Sequence, residues 1–175
     1  MAPKVPRLDL DTLFCPPAAI TLVSGPQGSG KTVLCLRALD AARATGLRVG
    51  GVLSPGRYDS SGQRIGIDLL DPISGERWPL AERIHPAPAA GRKWRFDPAT
   101  LTRGADLLAA VRDCDLLLVD EIGPIELLEG GGWIGALDVL RAGSYWRALV
   151  VVRPHLLDVL VERLAPLPLH TLTLP

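Results

Sequence analysis

The chain has 175 residues, of which 47% are hydrophobic and 22% charged. A globular chain of that size buries roughly two-thirds of its unfolded surface, enough for one self-sufficient core and too little for two large ones. Nineteen basic residues balance nineteen acidic ones, which argues against a general nucleic-acid binder, because displacing phosphate counterions needs a basic excess.

Residues 1 to 17 are punctuated by Pro3, Pro6, Pro16 and Pro17 and read as an extended lead-in. Ala19 to Ser24, with β-branched Ile20, Thr21 and Val23, predicts a buried strand. A glycine loop follows, then a helix over about Lys31–Thr45 that Gly46 ends, and a second strand over Arg48–Ser54. From 56 to 96 the pattern changes: Gly56, Gly62, Gly66, Gly75 and Gly91 break up short runs such as Arg64–Leu70 and Glu76–Leu80. That spacing predicts β-hairpins inserted between core elements, with the Pro/Ala-rich stretch Ile84–Gly91 as a loop. Asp97-Pro98 is a helix start, Asp as N-cap and Pro at the first helical position. Leu116–Val119 predicts a fully apolar strand ending in Asp120-Glu121, Trp133–Arg141 a helix, and Ala148–Val152 another buried strand. Leu156, Leu157, Leu160, Val161 and Leu164 mark one helix face, and Leu169–Leu174 a last strand. Strands alternating with helices give an α/β domain with a mainly parallel central sheet flanked by helices. One domain over 1–175, with the hairpin region inserted, is expected.

Cys15, Cys35 and Cys114 are widely spaced, with no C-x-x-C and no nearby His pair, which disfavours zinc sites and disulfide frameworks. No apolar run reaches the roughly eighteen residues of a membrane span, and the first ten residues lack the apolar stretch of a signal peptide. The expectation is a cytoplasmic monomer without membrane or nucleic-acid contacts; no feature names a protein partner.

Gly25-Pro26-Gln27-Gly28-Ser29-Gly30-Lys31-Thr32 fits G-x-x-x-x-G-K-[ST] at every fixed position, between a strand and a helix. Glycines let successive backbone N–H groups converge on one anion, and the helix N-terminus aims its dipole at it. Lys31 adds a point charge for β- and γ-phosphates, and the Thr32 hydroxyl is a Mg²⁺ ligand. The loop with Val33 is therefore the expected nucleotide-binding segment. A carboxylate at the end of a buried strand lies where open α/β sheets bind ligands. Asp120 is expected to hold Mg²⁺ with Thr32, and Glu121 to polarise the attacking water. Taken alone, the acidic pair also suits a strand end at the surface, though less well; beside the loop, the catalytic reading prevails. Asp120-Glu121-Ile122-Gly123 also fits the D-x-x-G of GTP switch proteins, but a chain without asparagine has no N-K-x-D element for guanine. The strand between Lys31 and Asp120 favours the additional-strand, catalytic-glutamate division of P-loop proteins.

These segments, together with Gly50–Arg57, Arg64–Asp68, Ser74–Arg77, Leu80-Ala81 and Asp120–Leu127, resemble the small nucleoside-triphosphatases of thermophiles, the cancer-related nucleoside-triphosphatase family of animals. The resemblance runs from about Ile20 to Leu128, and its most specific part is D-E-I-G-x-x-E-L. It implies a RecA-like P-loop domain with an inserted hairpin that hydrolyses ATP, GTP and other nucleoside triphosphates, with Mg²⁺, slow turnover and low base selectivity. Val33, Ile67 and Ile125 depart from the Thr, Phe and Met usual at those positions, changes of packing that leave the metal ligands and the base in place.

Phosphoryl transfer needs further positive charge near the γ-phosphate. Arg57 and Arg153, each after a core strand, are the expected catalytic arginines beside Lys31 and Glu121. Arg64 is a weaker candidate, expected to pair with Asp68 or Glu76 instead. Trp94, Trp78 and Tyr58 are candidates to stack on the base but suit strand packing better. Arg92-Lys93-Trp94-Arg95 reads as a solvated strand edge. His85, His155 and His170 read as surface or packing residues. Two other functions fit the same motifs: a P-loop kinase acting on a small acceptor, and a nucleotide-gated binding module.

Overall fold

The structure is a computed structural model describing residues 9–85 and 93–175. The start of the Pro-rich lead-in, most of the Pro/Ala-rich stretch and Arg92 lie outside those residues. Among the described residues no helix is long and apolar enough to cross a membrane.

Five strands form a parallel sheet: β1 (Ile20–Ser24), β2 (Val49–Val52), β7 (Cys114–Ile122), β8 (Tyr145–Val152) and β9 (Leu169–Thr173), in the order β2-β7-β8-β1-β9. The strand feeding the glycine loop and the strand carrying the acids are not neighbours; β8 lies between them, the arrangement expected of the additional-strand division. Alternate residues of β7 face opposite ways. Leu117 and Val119 join a cluster with Leu108, Leu137, Leu140 and Leu160, from α2 (Pro98–Ala109), α4 (Ala136–Ala142) and α5 (Leu157–Leu164). Leu116 and Leu118 join Cys35, Ala38, Leu39 and Ala42, from α1 (Lys31–Ala44) on the other face. Burying each of those leucines stabilises the fold by about 1.5–3 kcal/mol. The two-sided core explains why β7 and β8 read as unbroken apolar runs in sequence.

The inserted region is a second sheet, antiparallel, of β3 (Gly56–Tyr58), β4 (Arg64–Leu70), β5 (Arg77–Arg83) and β6 (Trp94–Phe96) in chain order. Leu53 is the switch point: having left β2, it bridges antiparallel to Leu70. Strand β2 is therefore shorter than Arg48–Ser54. Leu69 and Leu80 pack into the cluster shared by α2, α4 and α5, which ties the insert to the parallel sheet.

Boundaries differ from the sequence reading elsewhere too: the lead-in read as extended carries a short 3-10 helix, Leu10–Leu13, which Asp9 caps by accepting from the Asp11 N–H, and β8 begins at Tyr145, not Ala148. Helix α2 starts as read, Asp97 accepting from the Thr100 N–H at 2.7 Å. The helix expected from Trp133 begins only at Ala136, because Trp133 is held outside it: its ring N–H donates to Leu101 O and its backbone N–H to Glu126 Oε1. A one-turn helix, α3 (Pro124–Leu127), adds to the expected elements. Strand β7 continues past Val119 to Ile122, so the acids lie inside it rather than beyond it.

Candidate active site

Strand β1 ends at Ser24 and delivers the glycine loop to the C-terminal edge of the parallel sheet. Gly25, Gly28 and Gly30 take positive φ, at 151°, 88° and 91°, where a side chain would be strained. Gly25 is also crowded: a Cβ there would lie 2.7 Å from the Leu174 carbonyl oxygen. The loop is thus pinned against the chain beyond β9, where the Leu174 N–H donates to Ser24 O. Gly30 caps α1, leaving the first-turn N–H groups facing the loop. Lys31 folds back over the loop, its Nζ donating to Gly25 O and Pro26 O, each at 2.7 Å. Pro26, Gln27 and Gly28 are exposed, Ser29 half-buried, and Val33 is 58% exposed. Ser29 Oγ is buried without a hydrogen-bond partner.

The acids sit on an irregularity. Val119 pairs with Val150 and Ile122 with Val152, so two residues of β7, Asp120 and Glu121, stand against Val151 alone. This is the geometry of a β-bulge, which re-aims side chains; the intervening Asp120–Glu121 peptide is cis. Asp120 turns inward and is 1% exposed. Its Oδ1 accepts from Thr32 Oγ1 at 3.2 Å and its Oδ2 from the Ser54 N–H at 3.3 Å. Burial pushes its carboxyl up to about 6, opposed by the two hydrogen bonds and by the charge of Arg64, and reinforced by Glu121. The same carboxylate adds to the burial that raises the Cys35 thiol beneath it. Glu121 turns outward, its Oε1 accepting from Arg153 Nε at 2.5 Å.

Of the expected site residues, the structure brings together the glycine loop, Lys31, Thr32, Asp120, Glu121 and Arg153. It does not bring Arg57 to them. Arg57 lies in β3 of the antiparallel sheet, with its guanidinium 2.9 Å from Asp68 and 3.9 Å from Glu82. The reason is the switch at Leu53: the chain leaves the parallel sheet before Arg57, which then faces acids on its new neighbours. Arg64 correspondingly has no ion pair with Asp68 or Glu76; its guanidinium lies 5.4 Å over the Trp94 ring. Trp78 is likewise covered by Arg103, at 4.5 Å. Two contributors lie within motifs of the sequence reading but are given no role there. Ser54 acts through its backbone N–H, which leaves no side-chain signature. Glu126, 7% exposed, accepts from the Gly123 and Trp133 N–H groups at 2.9 and 3.0 Å, fixing the chain that leaves Glu121. Its spacing of three from Gly123 is that of a capping-box glutamate, a signal present in the sequence.

Thr32 Oγ1 and Asp120 present hard oxygen donors side by side, a set that fits a divalent metal ion. Among the described residues no group of three or more His, Cys, Asp or Glu could hold a metal by itself.

Residues 20–132 match the profile of the NTPase family. Nucleoside-triphosphatase THEP1 of Methanopyrus kandleri is 36% identical over 150 residues, spanning 81% of this chain and 80% of that protein. The THEP1 of Ignicoccus hospitalis is 34% identical over 105 residues, spanning 60% of this chain and 59% of that protein. In fold, the chain is similar to a human cancer-related nucleoside triphosphatase solved in solution, with a TM-score of 0.66 over 90% of this chain and 89% of that one, at 22% identity.

Proposed function

This chain belongs to the NTPase family, and from that premise we propose that it hydrolyses nucleoside 5′-triphosphates to diphosphate and phosphate, with Mg²⁺ and little selectivity for the base. Its relatives of the THEP1 group are named nucleoside-triphosphatases. The observation that carries the reading is the contact between Thr32, at the start of α1, and Asp120, on the bulge of β7, 88 residues apart in sequence and 3.2 Å apart in space. It joins the phosphate cradle to the acids at one sheet edge.

The loop amides and the N-terminus of α1 receive the phosphates. Lys31 exchanges the Gly25 and Pro26 carbonyls, weak neutral acceptors, for charged phosphate oxygens. Thr32 and Asp120 would hold the magnesium ion, which when bound neutralises charge on the phosphoryl oxygens. Glu121 orients the lytic water and accepts its proton as the water oxygen attacks phosphorus and the bond to the diphosphate breaks. Among the described residues only its Oε1 is engaged, by Arg153, which leaves Oε2 for the water. Arg153 is thereby a positioning residue for Glu121. Low base selectivity is supported by the absence of asparagine, which removes the N-K-x-D route to guanine.

Substituting Glu121→Gln tests the assignment. ATP affinity, read by titration calorimetry, stays within a few-fold, while phosphate release from ATP, GTP, CTP and UTP falls by about 10²–10⁴. Turnover near the wild-type rate in that variant would remove Glu121 from the mechanism. ADP formation that begins only when a small acceptor is added, with the phosphoryl group recovered on the acceptor and not as free phosphate, would favour a kinase.

A further inference from the structure

The antiparallel sheet holds an arginine, Arg64, that is partly buried and forms no ion pair among the described residues. We propose that Arg64 is a catalytic arginine supplied in cis by the inserted sheet, its guanidinium contacting the terminal phosphoryl group of the bound nucleotide. The inference rests on the reading above, that the phosphates lie between the glycine loop and Asp120.

Three observations carry it. First, the other two arginines considered for that phosphate are engaged by carboxylates, Arg57 by Asp68 and Glu82, and Arg153 by Glu121. Arg64 has no ion pair among the described residues, and its Nε is buried with no hydrogen-bond partner. A guanidinium held this way keeps its full charge and lacks an anionic acceptor, which a phosphoryl oxygen supplies. Second, its place is fixed. Arg64 opens β4 opposite Tyr58 of β3, and the Trp94 ring braces its charged end. A Cβ on Gly56 would lie 2.9 Å from Arg64 Nε; the missing side chain is what lets the arginine lie over β3 there. Third, that place over Gly56 is near the acids. Gly56 is two residues beyond Ser54, whose N–H is bonded to Asp120, and two extended residues span at most about 7 Å.

The reaction gives this cation its task. As the bond between the terminal phosphorus and the diphosphate oxygen breaks, negative charge on the phosphoryl and leaving oxygens is redistributed. A guanidinium already in position stabilises that charge without reorganising at the moment of reaction.

The test compares R64A and R64K with R103A, which removes the matched arginine–tryptophan stack on Trp78. Steady-state phosphate release from MgATP is measured alongside ATP affinity and the binding of ADP with aluminium fluoride, a mimic of the transferring phosphoryl group. The expected result is a kcat lowered by about 10²–10³ in R64A, with ATP affinity changed less than fivefold and the tight aluminium fluoride complex lost. Added guanidinium chloride at millimolar concentration restores part of the R64A turnover and none to R103A, whose turnover equals that of the wild type. R64K keeps the charge but not the planar fork; it retains part of the rate and carries the same readouts if R64A does not fold. A kcat for folded R64A, or for R64K alone, within threefold of wild type overturns the proposal, as does an equal loss in R103A. Wild-type protein that turns over while R64A does too sinks only Arg64; turnover by the Glu121→Gln variant sinks the site reading beneath it.

Discussion

The two sheets handle charge in opposite ways. In the antiparallel sheet, Arg57 meets Asp68 and Arg95 meets Glu82 across neighbouring strands, in partly exposed pairs that gain little, because water already solvates both partners. At the edge of the parallel sheet, Asp120 is buried with one hydroxyl, one amide and, among the described residues, no direct cation. Its carboxyl is held near 6 by burial, a position that costs stability and has no structural reward in the nucleotide-free protein. The contrast separates residues that hold the molecule together from residues that await a ligand. Glu121 stands between the two kinds, paired with Arg153 yet only on one oxygen.

The sharpest way to break this comparison is Asp120→Asn. The new side-chain amide can still accept from Ser54 and donate to the Thr32 hydroxyl, so the geometry survives while the charge is lost. Phosphate release should fall by at least about 10². Above pH 6 the nucleotide-free variant should unfold at a higher temperature than the wild type, since a buried anion has gone. A loss of stability there would mean that Asp120 is as well compensated as the surface pairs.

Next in size is Glu126→Ala, which strands the N–H groups of Gly123 and Trp133 away from water. It should cost about 2–4 kcal/mol in urea unfolding. Turnover should fall as well, because the chain leaving Glu121 is no longer fixed. A loss below about 0.5 kcal/mol would show Glu126 to be a bystander.

The pH dependence comes third. Asp120 binds its proton more tightly folded than unfolded, so between about pH 4 and 6 the native state carries more protons. Its contribution therefore makes stability decline as pH rises through that window and level off above it, by on the order of 3 kcal/mol at most. Subtracting the pH profile of Asp120→Asn from that of the wild type, in metal-free buffer, isolates the term. A flat difference would contradict the burial argument.

The smallest effect belongs to Arg57→Gln. Removing a partly exposed ion pair should cost about 1 kcal/mol or less, and phosphate release should remain within twofold. A large loss of kcat would return Arg57 to the machinery that its place in the sequence suggests.

Much of this is legible in the chain because it is encoded locally. A glycine loop needs only its own backbone freedom, so Gly25–Thr32 announces phosphate binding without a neighbour. Asp97-Pro98 starts α2 by satisfying its own first turn, and the apolar runs of β7 and β8 report burial on both faces. Partner choice is not local. Arg57 and Arg64 look alike in sequence. The chain's departure from the parallel sheet at Leu53 turns one towards Asp68, and the bare backbone at Gly56 leaves room for the other to lie over β3 beneath Trp94. The bulge that turns Asp120 inward and Glu121 outward exists only once β7 is registered against β8, and Glu126 gains its second amide only when Trp133 folds back over it. Residue type and short-range spacing determined what chemistry the chain carries; the long-range pairing of strands decided which charges meet, because contacts between segments tens of residues apart leave no trace in either segment alone.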